Sequence, residues 1–133
     1  MNNKLYGLGL LTVGILSIII PKVANAGWTI AGLGTLGGTY SVALGINNLG
    51  QVAGASLTAD NVFNAFLYSD ATGMTNLGTI DGGIYSIAEG INNSGQVSGS
   101  AAINGNSPSE AFITAPNGIG MTGLGILDAK YSS

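Results

Sequence analysis

An all-β repeat architecture is what the 133-residue sequence predicts, and three observations point to it. Two stretches of about 45 residues repeat one another nearly residue for residue. Within each, short runs alternate large and small side chains with period two, the periodicity of strands. Between those runs lie clusters of glycine and asparagine, the residues of tight turns; glycine alone accounts for 23 positions. The predicted fold is therefore a set of tandem antiparallel β units of about 45 residues, an incomplete array that follows an N-terminal signal helix.

Residues 1–26 have the three parts of a secretory signal. Lys4 supplies a positive start, and Leu5 to Ile20 form an apolar core. Pro21 ends that helix-prone run, because proline removes a backbone donor and clashes with the preceding turn. Ala24-Asn25-Ala26 then offers the small side chains that a signal peptidase accepts, which predicts a mature chain starting at Gly27. The apolar run is shorter than the ~20 residues a comfortable membrane span needs, so no stable span is expected after cleavage. These features predict a secreted protein, extracellular or at the cell surface.

The mature part, 27–133, divides into a tail strand (28–32), a first repeat (33–76), a second repeat (77–123) and the opening of a third (124–133). Leu33-Gly34-Thr35-Leu36-Gly37-Gly38-Thr39-Tyr40-Ser41 recurs, with one insertion, at Leu77 to Ser86. Gly45-Ile46-Asn47-Asn48-Leu49-Gly50-Gln51-Val52 recurs as Gly90-Ile91-Asn92-Asn93-Ser94-Gly95-Gln96-Val97. Ala65-Phe66-Leu67 returns as Ala111-Phe112-Ile113, and Leu124-Gly125-Ile126-Leu127 opens the third copy. In the first repeat, strands are expected at 40–46, 51–56, 64–68 and 74–77, with a tight turn at Asn47-Asn48-Leu49-Gly50. The segments 57–63 and 101–109 differ most between the copies and are expected as exposed loops. Ser41, Ala43 and Gly45 match Ser86, Ala88 and Gly90, so this small-residue face is expected to lie close to a neighbouring sheet. Leu44 becomes Glu89, which marks a solvated position.

Taken together, these motifs resemble the HAF repeat of extracellular bacterial proteins. That family runs from a Leu-Gly-Thr-Leu-Gly-Gly segment through Gly-Ile-Asn and Gly-Gln-Val to the His-Ala-Phe triplet that names it, and the likeness spans nearly all of 30–133. The triplet departs from the pattern at its first position, which is Asn64 in one copy and Glu110 in the other. The resemblance implies a secreted or surface-associated protein with propeller-blade-like β units. It implies no reaction.

The chemistry available to the chain is narrow. With no histidine and no cysteine, nucleophilic triads and thiolate metal sites cannot be assembled in their usual forms. Glu89 and Glu110 are the two glutamates, but Leu44 and Asn64 replace them in the other copy, so a solvated-charge role is expected over a catalytic pair. Asp60-Asn61, Asp81-Gly82-Gly83 and the Asn-Asn turns contain oxygen ligands suited to calcium, yet without an EF-hand or nonapeptide spacing. A match of Gly32 to Gly37 to GxGxxG is explained by the repeat. No catalytic residue, metal site or cofactor is therefore assigned, and the chain is not expected to be an enzyme. Lys130 is the sole cation of the mature part, against six carboxylates, so nucleic acid is excluded as a partner on charge. Phe66 and Phe112 are expected in the core. Phe63, in a variable loop, and Tyr68, which becomes Thr114, are the candidates for surface contact. The function expected is a non-catalytic surface-structural or partner-binding role. The alternatives are an extracellular carbohydrate-binding module that takes polysaccharide, or a truncated fragment of a longer array without independent function. Self-association is expected through unpaired strand edges at the ends of the array.

Overall fold

The computed structural model describes residues 27–105 and 108–126. The signal segment and residues 127–133 of the expected third repeat lie outside the described residues. The chain divides into a leading unit that ends at Ala31 and a second unit from Gly32 onward. In the leading unit, residues 27–31 belong to no strand, so the tail strand expected at 28–32 does not form. That run meets no partner ladder, and alternation by itself does not make a strand.

The second unit is all-β, as expected, and contains two four-stranded antiparallel sheets. The first is built from β1 (Gly37–Ile46), β2 (Val52–Thr58), β3 (Phe63–Ser69) and β4 (Gly73–Gly78); the second from β5 (Tyr85–Ile91), β6 (Val97–Ala102), β7 (Glu110–Thr114) and β8 (Met121–Gly123). In each sheet the strands are hydrogen-bonded in chain order, an up-and-down meander. One meander per sequence repeat is the arrangement the repeat predicts. A short 3-10 turn, Ile80–Gly82, links the two.

Two corrections concern the strand ends. Leu57 and Thr58 extend β2, and Phe63 opens β3, with Leu57 opposite Phe63 in the ladder. The expected loop at 57–63 therefore shrinks to 59–62, and Phe63 is a strand residue. Likewise Ala101 and Ala102 belong to β6 rather than to a loop. In both places apolar residues prolong the period-two pattern and gain ladder bonds that a loop would leave to water.

The repeated Gly-Ile-Asn-Asn-x-Gly-Gln-Val motif is the β1–β2 turn and, again, the β5–β6 turn. Asn47 Oδ1 accepts the N–H groups of Leu49 and Gln51, both at 3.0 Å, and its Nδ2 donates to Gln51 Oε1 at 2.7 Å. Asn92 repeats this with Ser94, Gln96 and Gln96 Oε1 at 3.1, 2.9 and 3.1 Å. Gly50 and Gly95 take φ of 74° and 73°, the left-handed region where glycine costs least. Asn47, Gly50 and Gln51, like Asn92, Gly95 and Gln96, thus each have a job inside their own turn.

The two sheets share one core. Ala53, Ala65 and Leu67 of the first pack with Ala88, Val97, Ala101 and Phe112 of the second and with Ile80 between them. The alanines keep the sheets close, as the small-residue reading expects for Ser86 and Ala88, both fully buried. Ala43 of the first copy, expected in the same kind of contact, is instead exposed. Ser86 Oγ accepts the N–H of Ala65 at 2.8 Å across the sheets and donates to the carbonyl of Gly78. The turns also meet: Asn47 Nδ2 donates to Asn92 O, and the N–H of Asn48 donates to Asn93 Oδ1, both at 3.0 Å. Equivalent residues of successive repeats are therefore direct neighbours.

Candidate functional site

The β2–β3 hairpin is one of the places where the two copies differ most, and the candidate site lies there. Thr58, Ala59, Asp60 and Val62 of that hairpin, with Asn64, Asn76 and Thr79, line an open cleft of about 440 Å³. The hairpin is pinned by Thr58 N–H to Val62 O at 2.9 Å and by Asn61 N–H to Thr58 O at 3.0 Å, with Asn61 in the left-handed region at φ 60°. Asparagine tolerates that conformation better than other side chains do. Leu36 closes one wall; its N–H donates to Ser56 Oγ at 2.9 Å.

Asn64 is the most informative residue of the cleft. Its Nδ2 donates to Asn76 Oδ1 at 3.0 Å, and that same oxygen accepts the N–H of Gly78 at 2.8 Å. Asn64 Oδ1 is buried and meets no donor. An unmatched buried carbonyl of this kind costs about 1–3 kcal/mol. Asp60 adds an exposed carboxylate to the same cleft. Sequence reasoning singled out Asn64 only as a departure from the HAF triplet; the cleft depends on β3–β4 pairing, which no local pattern reveals.

Of the two residues expected at the surface, Phe63 is 36% exposed. Its ring meets Tyr40 edge to face, with centroids 5.9 Å apart and planes at 84°. Tyr40 is more exposed still, at 52%, and was not singled out from the sequence. Tyr68 is half-buried, and its hydroxyl donates to Asp70 Oδ1 at 3.2 Å. That hydrogen bond, with a little desolvation and the nearby carboxylate charge, raises the phenol above its ordinary value. Phe63 and Tyr68 do not form one surface. They are an odd number of residues apart on an uninterrupted ladder, so their side chains leave opposite faces of β3.

The glutamates have separate surroundings. Glu89 is exposed on β5. Glu110 is half-buried, and its Oε1 accepts the N–H of Gly125 at 2.6 Å, so this carboxylate ties the chain after β8 to β7. Among the described residues no three Asp, Glu, His or Cys side chains gather in a metal-binding group, and no helix is long and apolar enough to cross a membrane. No family model, curated protein or solved structure matches the chain. The reading of function therefore rests on the site itself.

Proposed function

We propose that the chain is a secreted, non-catalytic β-repeat protein of HAF-repeat type, with blade-like units and a surface-structural or partner-binding role. One observation supports this reading most directly. The repeated Asn, Gly and Gln of the turns and the repeated residues of the shared core hold the frame together, while the β2–β3 hairpin end differs between the copies and lines an open cleft. An invariant frame that carries a variable rim is a scaffold for binding. The export part of the proposal is tested by expressing the full chain in a bacterial host and fractionating the cells. Mass spectrometry is expected to find a protein that begins at Gly27 outside the cytoplasm. An intact Met1 leader on cytoplasmic material overturns it.

A carbohydrate is the partner class favoured by a specific observation, the exposed Tyr40–Phe63 pair, an aromatic face of the kind that packs on sugar rings. The cleft of Thr58, Asp60, Asn64 and Asn76 carries polar groups that suit sugar hydroxyls, but it lies on the side of β3 that carries Asn64, opposite the side of Phe63. Retardation on native gels containing soluble polysaccharides tests this reading. Phe63→Ala and Tyr40→Ala are each expected to reduce retention by about tenfold, the effect of roughly 1.4 kcal/mol of binding free energy. Equal mobility of the native chain with and without every polysaccharide overturns the carbohydrate reading and leaves a protein partner as the alternative.

A further inference from the structure

The contact between the two repeats shows what each sheet face is built to touch, and among the described residues each repeat has one such face uncovered. Ala88, Ile91 and Val97 form the face of the second sheet that packs on the first; Ala88 and Val97 are fully buried there, and Ile91 packs on the shared core. Their equivalents in the first sheet are Ala43, Ile46 and Val52. Ala43 is exposed, Val52 is half-buried and Ile46 is 70% exposed. These three, with Leu44 and Gly45, line an open apolar hollow of about 370 Å³. The reciprocal face behaves in the same way. Ala53, Ala65 and Leu67 are buried under the second sheet, whereas their equivalents Ser98 and Ala111 are exposed and Ile113 is half-buried. Ile113 and Ser98 share a second hollow, of about 260 Å³, with Ile91 and Val97.

Register confirms that each set occupies one face. Ile46 stands opposite Val52 and Ala43 opposite Gly54, two residues along from Val52. Ser98 stands opposite Ile113, two residues along from Ala111. Both named sets are uncharged and made of small or branched side chains, and Tyr68, opposite Val52, borders the first. A face that buries its equivalents inside the chain and lies bare elsewhere is a contiguous apolar patch of the sort that marks an interaction site.

We infer that a second copy of this chain docks head to tail, the Ala43–Ile46–Val52 face of one copy seating on the Ser98–Ala111–Ile113 face of another. The contact within the chain is the template for the contact between chains. The turns support the same match. Asn47 and Asn48 give their donors, Nδ2 and N–H, to Asn92 O and Asn93 Oδ1. Asn92 and Asn93 are the same residues in the same turn, so Nδ2 of Asn92 and the N–H of Asn93 have the same reach toward Asn47 O and Asn48 Oδ1 of a following copy. Close approach is also provided for. A Cβ built on Gly45 would stand 3.5 Å from Ile91 Cγ2 and 3.6 Å from Glu89 O, while one on Gly90 would meet only Ser98 Oγ of its own sheet. Gly45 thus stands at ordinary contact distance from the second sheet, and its equivalent Gly90 faces no such neighbour among the described residues. The interface is heterologous, since the two faces differ, and it either closes into a ring or extends. Sheets meet in this contact by their faces rather than by the strand edges that the sequence pointed to. The inference does not depend on export or on carbohydrate binding.

Two exposed alanines give the test, with the chain purified from whichever compartment holds it. In sedimentation velocity from about 1 to about 200 µM, the native chain is expected to pass from monomer to larger species, as a micromolar dissociation constant requires. Ala43→Arg and Ala111→Arg, each blocking one face, are expected to remain monomeric. An equimolar mixture of the two variants retains one intact face of each kind and is expected to form a dimer that goes no further. Circular dichroism melts of both variants at about 1 µM check that the fold is unchanged, at the low end of the range where a micromolar complex dissociates. A native chain that is monomeric throughout overturns the inference and means that the faces are covered by residues of the same chain. Association that survives either substitution overturns it as well, and points to like faces pairing or to a different surface.

Discussion

Gly99→Ala is expected to unfold the second sheet, and Gly54→Ala the first. An ideal Cβ on Gly99 would lie 1.9 Å from the carbonyl oxygen of Ile87 and 2.8 Å from Cε1 of Phe112. On Gly54 it would lie 2.0 Å from the oxygen of Val42 and 2.9 Å from Cε1 of Phe66. The offending atom in each case is backbone, held by the ladder to the adjacent strand, so no rotamer change relieves the clash. Opening the ladder forfeits its hydrogen bonds and lifts the phenylalanine from the glycine it covers. The expected cost exceeds about 4 kcal/mol, the range reserved for changes that break a backbone constraint. Denaturant melts read it, with Gly105→Ala as the control, because nothing stands within 4 Å of a Cβ there. A Gly99→Ala chain with the native midpoint means that Gly99 does not stand opposite Ala88 in the β5–β6 ladder.

Phe112→Ala is the other large effect, with an expected loss of about 3–5 kcal/mol. Phe112 is 1% exposed and belongs to the core that both sheets share. Its removal leaves a cavity against Ala53, Ala65 and Leu67 as well as its own sheet. Phe66 is equally buried but lies outside that shared cluster. Phe66→Ala is therefore expected to fall in the same range, toward its lower end. Calorimetry distinguishes the two by order, and a larger loss for Phe66→Ala contradicts the assignment of Phe112 to the inter-sheet core. Glu89→Leu provides the opposite expectation, a change within about 0.5 kcal/mol. Ala88 pairs with Gly99 and Gly90 with Ser98, so Glu89 is the extra residue of a β-bulge and opposes nothing.

That bulge separates what was legible from what was not. The equivalence of Leu44 and Glu89 was visible in the sequence and correctly marked a solvated position. The reason was not visible. Alternation through Tyr40 to Ile46 suggested an unbroken strand with one wet face, whereas a register shift between Ala43 and Gly45 ejects Leu44 from the ladder. A bulge is a mismatch of count between two strands, and one strand read alone does not contain it.

By itself the sequence determined the all-β class, the division into two repeat units and the Asn-Asn-x-Gly turns inside them. All of these follow from side-chain period, glycine and asparagine placement, and the comparison of two copies, which are local or internal properties. It also determined that Phe66 and Phe112 are core residues, since equivalent apolar positions in two copies rarely face water together. The strand ends at 57–63 and 101–102 and the lack of a strand at 28–32 came from the structure. Tertiary structure alone decided how the repeats meet. Ser86 satisfying Ala65, Asn47 reaching Asn92, the unmatched oxygen of Asn64 and the pairing of Tyr40 with Phe63 all join residues that chain order keeps apart. Their partners are selected by sheet register and by the packing of one face on another, and neither exists until the strands have paired.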